Sequence, residues 1–237
     1  VVANVGLAPR LAGTAYNWNT ITIGWACAVI IAVYISGGVS GAHLNPAVTL
    51  AMAAKRSFGW GKAGLYIVAQ LIGAFLGALA VYLVYRDGLV AAGMPNVWST
   101  GPGSVFGASF WGAASSGSTG AYSMATAFIA EVIGTAVLLW GILGSGDMKN
   151  MGVGGNLGPF IVGGTVLAVG LSLGGPSGYS INPARDLGPR IFGALVGTTG
   201  LFDGMYWLLV PVIGPFVGGV LGIFTYDWFI TAFLPKK

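Results

Sequence analysis

Residues 11 to 54 contain no Asp, Glu, Lys or Arg, and neither do residues 63–85, 150–184 or 204–226. A helix that crosses a bilayer needs roughly 20 mostly apolar residues, so each of these runs is long enough to span. Charged residues make up 7% of the chain, against about a quarter in soluble domains. Such a chain cannot cover a wet surface, and it reads as an integral membrane protein. The 42 glycines agree, because in lipid glycine lets helix backbones approach closely. The ten cations are scattered rather than clustered, which argues against a nucleic-acid partner. A single cysteine, Cys27, rules out an internal disulfide and reads as a buried small apolar residue.

The pattern predicts an all-α membrane fold. Spans are expected at about 18–37, 61–85, 122–145, 157–175 and 205–230, with the tail of a helix at 1–8 and a loop at 9–17. Gly-rich breaks at 36–44 and before Asn182 lead into short helices from Asn45 and Asn182. Residues 88–121, rich in Gly, Ser and Pro, read as an extramembrane loop with a short helix near 105–112. The first residues, VVANVGLAPR, form a stub too short to span. The expectation is that a first spanning helix is truncated or missing from this numbering.

An internal repeat organises these elements. GGVSGAHLNPA at 37–47 realigns onto GGPSGYSINPA at 174–184, an offset of 137. A related hydrophobic core follows each copy, IGAFLGALA from Ile72 and IGPFVGGVL from Ile213. The chain is therefore expected to form one domain, 1–237, in two repeats, 1–86 and 122–237, joined by an extramembrane loop at 87–121. Paired broken hydrophobic segments in two halves mark a pore or binding site at the repeat interface. Three spans separate the copies, so the topology is inverted and the two short helices enter from opposite faces. Lys55, Arg56, Lys62, Lys149, Lys236 and Lys237 fall on one side, and Arg10 and Arg86 on the other. The richer side, with the C-terminus, is expected to be cytoplasmic.

The motif itself has a physical reading. Asn45 and Asn182 stand at N-cap positions, followed by Pro46–Ala47 and Pro183–Ala184, and proline at the first helical position sacrifices no hydrogen bond. Ala42, His43 and Leu44, with Tyr179, Ser180 and Ile181, precede the two helix starts. Irregular backbone at membrane depth survives only when buried in protein or lining a wet cavity, so these carbonyls are expected to form a ladder of acceptors. Each helix start carries about half a positive charge. Two of them meeting repel cations, while the Asn amides offer donors to a passing oxygen. Such a lane suits neutral hydroxylated molecules. Arg185 replaces Val48 of the first copy, and a charge within a span is functional by default, although a cation at a helix end can also simply snorkel.

NPAV at 45–48 and NPAR at 182–185, with SGAHLNP before the first, resemble the aquaporin/major intrinsic protein family over nearly the whole chain. INPARDLGPR, with an Asp directly after NPAR, is similar to the glycerol facilitators in particular. The resemblance implies a right-handed bundle and a narrow filter with four contributors. By distance from the NPA motifs these are Trp25, twenty residues before Asn45; Gly170 and Tyr179, twelve and three before Asn182; and Arg185, three after it. Trp25 and Tyr179 would form a greasy corner opposite the donors of Arg185, and Gly170 would leave the space an aromatic side fills. A water-selective filter in this family places His near the Trp25 or Gly170 positions. The one histidine here, His43, belongs to the carbonyl ladder. Tyr179 departs from the Phe common in glycerol facilitators, and its hydroxyl would narrow the filter or add a polar contact.

The resemblance also implies that Glu131 is a buried carboxylate holding the carbonyl-bearing loop, with a matching Glu ahead of Val1, and that the chain forms a homotetramer in the plasma membrane. Asp186 and Arg190, four apart, are expected to pair on the second short helix. His43 has no Cys or carboxylate neighbours and makes a poor metal site. No cofactor is implied, and no nucleophile–base arrangement supports an enzyme. The leading expectation is a passive facilitator for glycerol, small polyols and some water; protonated lactic acid and urea are alternative solutes. A secondary active transporter also uses broken inverted repeats, and a non-conducting junction protein is a third class.

Overall fold

The structure, a computed structural model, describes residues 1–7, 17–56, 58–101, 104 and 122–235. Among the described residues five helices are long and apolar enough to cross a membrane: α2 (Trp18–Ser40), α4 (Trp60–Ala91), α5 (Met124–Gly146), α6 (Gly158–Ser177) and α8 (Tyr206–Phe233). Two short helices, α3 (Pro46–Lys55) and α7 (Pro183–Leu195), begin at the Asn–Pro pairs, and α1 (Val2–Leu7) packs on α4. The expected spans are all present. α8 is interrupted by a π-helical turn at Leu209–Ile213 around Pro211, which removes one backbone donor there.

Three boundaries differ from expectation. α2 runs through Gly37 and Gly38, where a break was expected from 36, and stops at Gly41. Paired glycines alone do not end a helix in lipid; the left-handed backbone of Gly41 (φ 72°) does. α6 likewise continues through Pro176 to a left-handed Gly178 (φ 86°). α4 extends to Ala91 rather than 85: Arg86 is a good helix former, and the left-handed stop comes only at Gly93 (φ 73°). Residues 88–91 are thus helical. The stretch that follows, Asn96–Gly101, is buried against α7 rather than exposed. Trp98 is 4% exposed, packs edge-on to Phe192 and donates to Thr198 Oγ1 at 2.9 Å. The helix expected near 105–112 lies outside the described residues, as do Arg10, Lys236 and Lys237.

Packing follows the repeat. Each short helix lies against a span of the other half: α3 on α8, α7 on α4. Glycine permits both approaches. A Cβ on Gly219 of α8 would lie 2.9 Å from the Ala47 carbonyl oxygen, and one on Gly188 of α7 would lie 2.7 Å from Ala74 Cβ. Outward faces are apolar and open, as on α4, where Leu65, Leu83 and Val84 are about 70% exposed or more, and on α2, where Cys27, expected to be buried, is exposed because it lies on the outward face. That is the surface a lipid solvent selects. Where α3 ends, Arg56 makes a two-pronged ion pair with Asp227 of α8, joined by Lys55 Nζ at 3.3 Å.

Candidate functional site

The asparagines meet at the centre of the bundle. Asn45 caps α3 by accepting from Ala47 N at 2.8 Å, and Asn182 caps α7 by accepting from Ala184 N at 3.0 Å. Each amide then reaches into the other half: Asn45 Nδ2 donates to Ile181 O at 2.7 Å, and Asn182 Nδ2 donates to Leu44 O at 2.8 Å. The crossed pair ties the helix starts together, so their positive ends face one another. An amide nitrogen carries two hydrogens. One is committed across the repeat, which leaves one on each asparagine for a molecule in the lane.

The segments before the caps share an unusual backbone. Ala42, Leu44, Tyr179 and Ile181 have φ of 48°, 53°, 40° and 44°, the same two positions in each copy. A non-glycine residue in this region costs on the order of 1–3 kcal/mol. Residues 41–44 and 179–181 line a common cavity.

Different groups hold the two strained segments. In the second, the fully buried Glu131 accepts from Ser180 N at 2.7 Å and Ile181 N at 2.6 Å, one backbone amide per carboxylate oxygen. In the first, neutral groups converge on Thr49: His43 Nδ1 and Gln70 Nε2 lie 3.1 and 2.9 Å from its hydroxyl, which donates to Asn45 O at 3.0 Å. Phe58 and Tyr66 pack around the His43 ring at centroid distances of 4.7 and 5.4 Å. Ser40 and Ser177 do the same task in both copies, accepting from Ala42 N at 3.3 Å and Tyr179 N at 3.2 Å. Sequence reasoning assigned no role to Ser40, Ser177, Thr49 or Gln70. The repeat held the signal for the serines, which occupy one shared position of GGVSG and GGPSG.

The cavity is about 220 Å³. Its lining joins the two loops, Asn45, Asn182 and Arg185 to Val29 and Val33 of α2, Leu138 and Ile142 of α5, and Val162 and Val166 of α6. Arg185 stacks 4.5 Å above the Trp25 ring, a cation–π contact that orients the guanidinium without using its donors. Its side-chain N–H groups meet no acceptor among the described residues. Trp25 Nε1 and Tyr179 Oη are also without partners. Trp25, Tyr179 and Arg185 therefore come together on the lane. Gly170 does not line it: the room that glycine leaves is taken by Tyr179 and Thr22, which a Cβ would approach to 2.9 and 2.8 Å.

Asp186 faces away from the lane and is fully buried. It accepts from Arg190 Nε at 2.7 Å and from Thr100 N and Oγ1 at 2.8 and 2.6 Å. Arg190 closes the clasp by donating to Thr100 O and Leu201 O. Among the described residues no group of three His, Cys, Asp or Glu side chains could hold a metal ion.

Comparison with known proteins agrees with this geometry. A family model described as major intrinsic protein matches residues 1–226. A probable glycerol uptake facilitator protein of Thermotoga maritima is 42% identical over 234 residues, covering 96% of this chain and 91% of that protein. The glycerol uptake facilitator protein of Bacillus subtilis is 41% identical over 235 residues, covering 96% and 77%. The X-ray structure of the aquaglyceroporin from Plasmodium falciparum superposes with a TM-score of 0.82 at 30% identity, covering 98% of this chain and 90% of that one.

Proposed function

The chain belongs to the major intrinsic protein family, and we propose that it is a passive transmembrane channel for glycerol and other small uncharged solutes, with some water, that excludes ions and protons. The observation that carries this reading is the Arg185 guanidinium stacked on Trp25, its donors unclaimed among the described residues, in a cavity that Val, Leu and Ile also line. A polyol has hydroxyls for one side of such a lane and a carbon backbone for the other. Trp25, Tyr179 and Arg185 form the selectivity filter in this reading, with Gly170 acting through the space it yields to Tyr179. Asn45 and Asn182 hand the solute past the centre, where two helix N-termini and one arginine oppose any cation. The solute passes unchanged, so no catalytic step is assigned.

Coupled transport would need a carboxylate free to take up an ion. Asp186, the acid next to the filter, is fully buried and already paired with Arg190 and Thr100, which favours the passive channel. We further infer a homotetramer in the plasma membrane with a lane in each subunit and a cytoplasmic C-terminus. Family resemblance supports the assembly, and the side shared by Lys55, Arg56, Lys62 and Lys149 supports the orientation.

A liposome shrink–swell series with water, glycerol, urea and neutral lactic acid tests the function. Glycerol flux well above that of empty vesicles, unsaturated and never uphill, is the expected result. Saturable uphill uptake would move the protein to the transporter class, and no flux of any solute would remove it from the channels. Faster passage of lactic acid or urea than of glycerol would replace glycerol as the preferred solute.

A further inference from the structure

Tyr179 lines the lane, yet no hydrogen bond fixes its ring. Its hydroxyl has no partner among the described residues, and its backbone is strained at φ 40° with the amide bonded to Ser177 Oγ. The ring is placed by what packs behind it. That slot has a floor of two α6 glycines and a side made by α2. A Cβ on Gly170 would lie 2.9 Å from Tyr179 Cε2 and Cζ, and one on Gly174 would lie 3.1 Å from Tyr179 Cδ1 and 2.5 Å from Trp18 Cζ2. Trp18 stands edge-on to the Tyr179 ring, with centroids 5.5 Å apart and planes at 79°, and its Nε1 donates to Gly170 O at 3.0 Å. One side chain thus braces the ring and pins the helix that forms the floor. Trp18 is itself fixed in the first turn of α2 by a reciprocal cap. Asn17 Oδ1 accepts from Asn19 N at 2.9 Å, and Thr20 Oγ1 accepts from Asn17 N at 3.2 Å.

We propose that Trp18, which lies outside the lane, is a positioning residue that sets how far Tyr179 reaches into it and hence the size of polyol the filter passes. The proposal rests on the channel reading above and deepens it. With the Trp18 ring removed, nothing at that edge stops Tyr179 from swinging back off the lane. The slot then widens without any change in the residues that touch solute.

The test is the ratio of ribitol flux to glycerol flux in the same proteoliposomes, which is independent of how much protein inserts. Trp18→Ala should raise the ratio roughly 3- to 10-fold, no more than the about tenfold that is the least one carbon's fit in a snug pocket is worth, because the ring is loosened and not removed. Trp18→Leu serves the same purpose should the alanine variant not incorporate. Trp18→Phe keeps a ring edge against Tyr179 and should stay within about twofold of the unaltered ratio. In a Tyr179→Ala background, Trp18→Ala should add nothing, because the side chain it acts through is gone. A role in stability alone would lower the yield and leave the ratio unmoved. An unchanged ratio in both the alanine and leucine variants overturns the proposal, as does a full additional effect on top of Tyr179→Ala or a Phe variant that behaves like Ala. Unaltered protein that passes no glycerol sinks the channel reading instead, so the two failures are distinguishable.

Discussion

Aligned through their identical Asn-Pro-Ala starts, the two short helices diverge at the next residue: Val48 of α3 corresponds to Arg185 of α7, Thr49 to Asp186 and Ala53 to Arg190. The centre of the lane stays symmetric, with crossed amide bonds of 2.7 and 2.8 Å. Over the six residues that follow the Asn-Pro-Ala starts, charge lies on one side of it alone, in α7. Two of the three added charges neutralise each other in a buried clasp that fastens α7 to Thr100 and Leu201, which leaves Arg185 alone facing the lane. Thr49, also fully buried, performs the corresponding anchoring with a neutral hydroxyl. A duplicated scaffold can thus keep its geometry twice and place selection once.

Converting α7 into α3 one residue at a time shows which differences matter. The largest effect is expected from Asp186→Thr, the first-copy residue. It strands Arg190 in a buried site, and breaking a buried pair from one side costs about 3–5 kcal/mol. Thermal unfolding in detergent reads this out. The double change Asp186→Thr with Arg190→Ala removes both charges and should recover much of the loss; a double variant no better than the single would show that the clasp is not a unit. Next is Arg185→Val. A unit charge acts on another about 5 Å away with roughly 3 kcal/mol at an effective dielectric near 20, so cation leak in proteoliposomes should rise about 100-fold. An unchanged leak would leave exclusion to the helix ends alone. Third, Tyr179→Ala restores the Ala42 type of the first copy. It should raise ribitol flux relative to glycerol at least about tenfold, since the fit of even one carbon in a pocket is worth about that much.

The same comparison explains what the sequence could disclose. The repeat, the two caps and the five spans were legible because each is a local pattern: a charge-free run, an Asn–Pro pair, an eleven-residue echo. Arg185 stood out because it broke the echo. Glu131 was singled out by the family resemblance, and its place beneath the second loop is a contact across 50 residues. The neutral group under the first loop, Thr49 with Gln70 and His43, was not legible. Hydroxyls and amides are common in any sequence, and their role exists only once α4 lies beside α3. Burial of Asn96–Gly101 was missed for a related reason, since Gly, Pro and Ser in the sequence read as solvated loop although Trp98 and Thr100 are held by partners far along the chain. The continuation of α2 through Gly37–Gly38 was missed because glycine was weighted as it behaves in water.

The smallest expected effect probes the one anchoring element the copies share. Ser40 and Ser177 accept from the amide two residues on, at 3.3 and 3.2 Å, just ahead of the first left-handed residue of each loop. Their surroundings differ. Ser177 is 1% exposed, and its carbonyl accepts from Tyr206 Oη at 3.0 Å; Ser40 is half-buried. An amide that loses its acceptor in a buried site costs about 1–3 kcal/mol, whereas one that water can reach costs less. Ser177→Ala should therefore lower stability by about 1 kcal/mol and Ser40→Ala by about half of that, measured as paired unfolding midpoints under one condition. The stakes are asymmetric as well. The Ser177 bond is made to Tyr179 itself, so the alanine variant there should also shift the ribitol-to-glycerol ratio, while Ser40→Ala should not. Equal losses and equal ratios in the two variants would mean that the halves are anchored alike. The division between a symmetric centre and a one-sided filter would then have to rest on Arg185 and its neighbours alone.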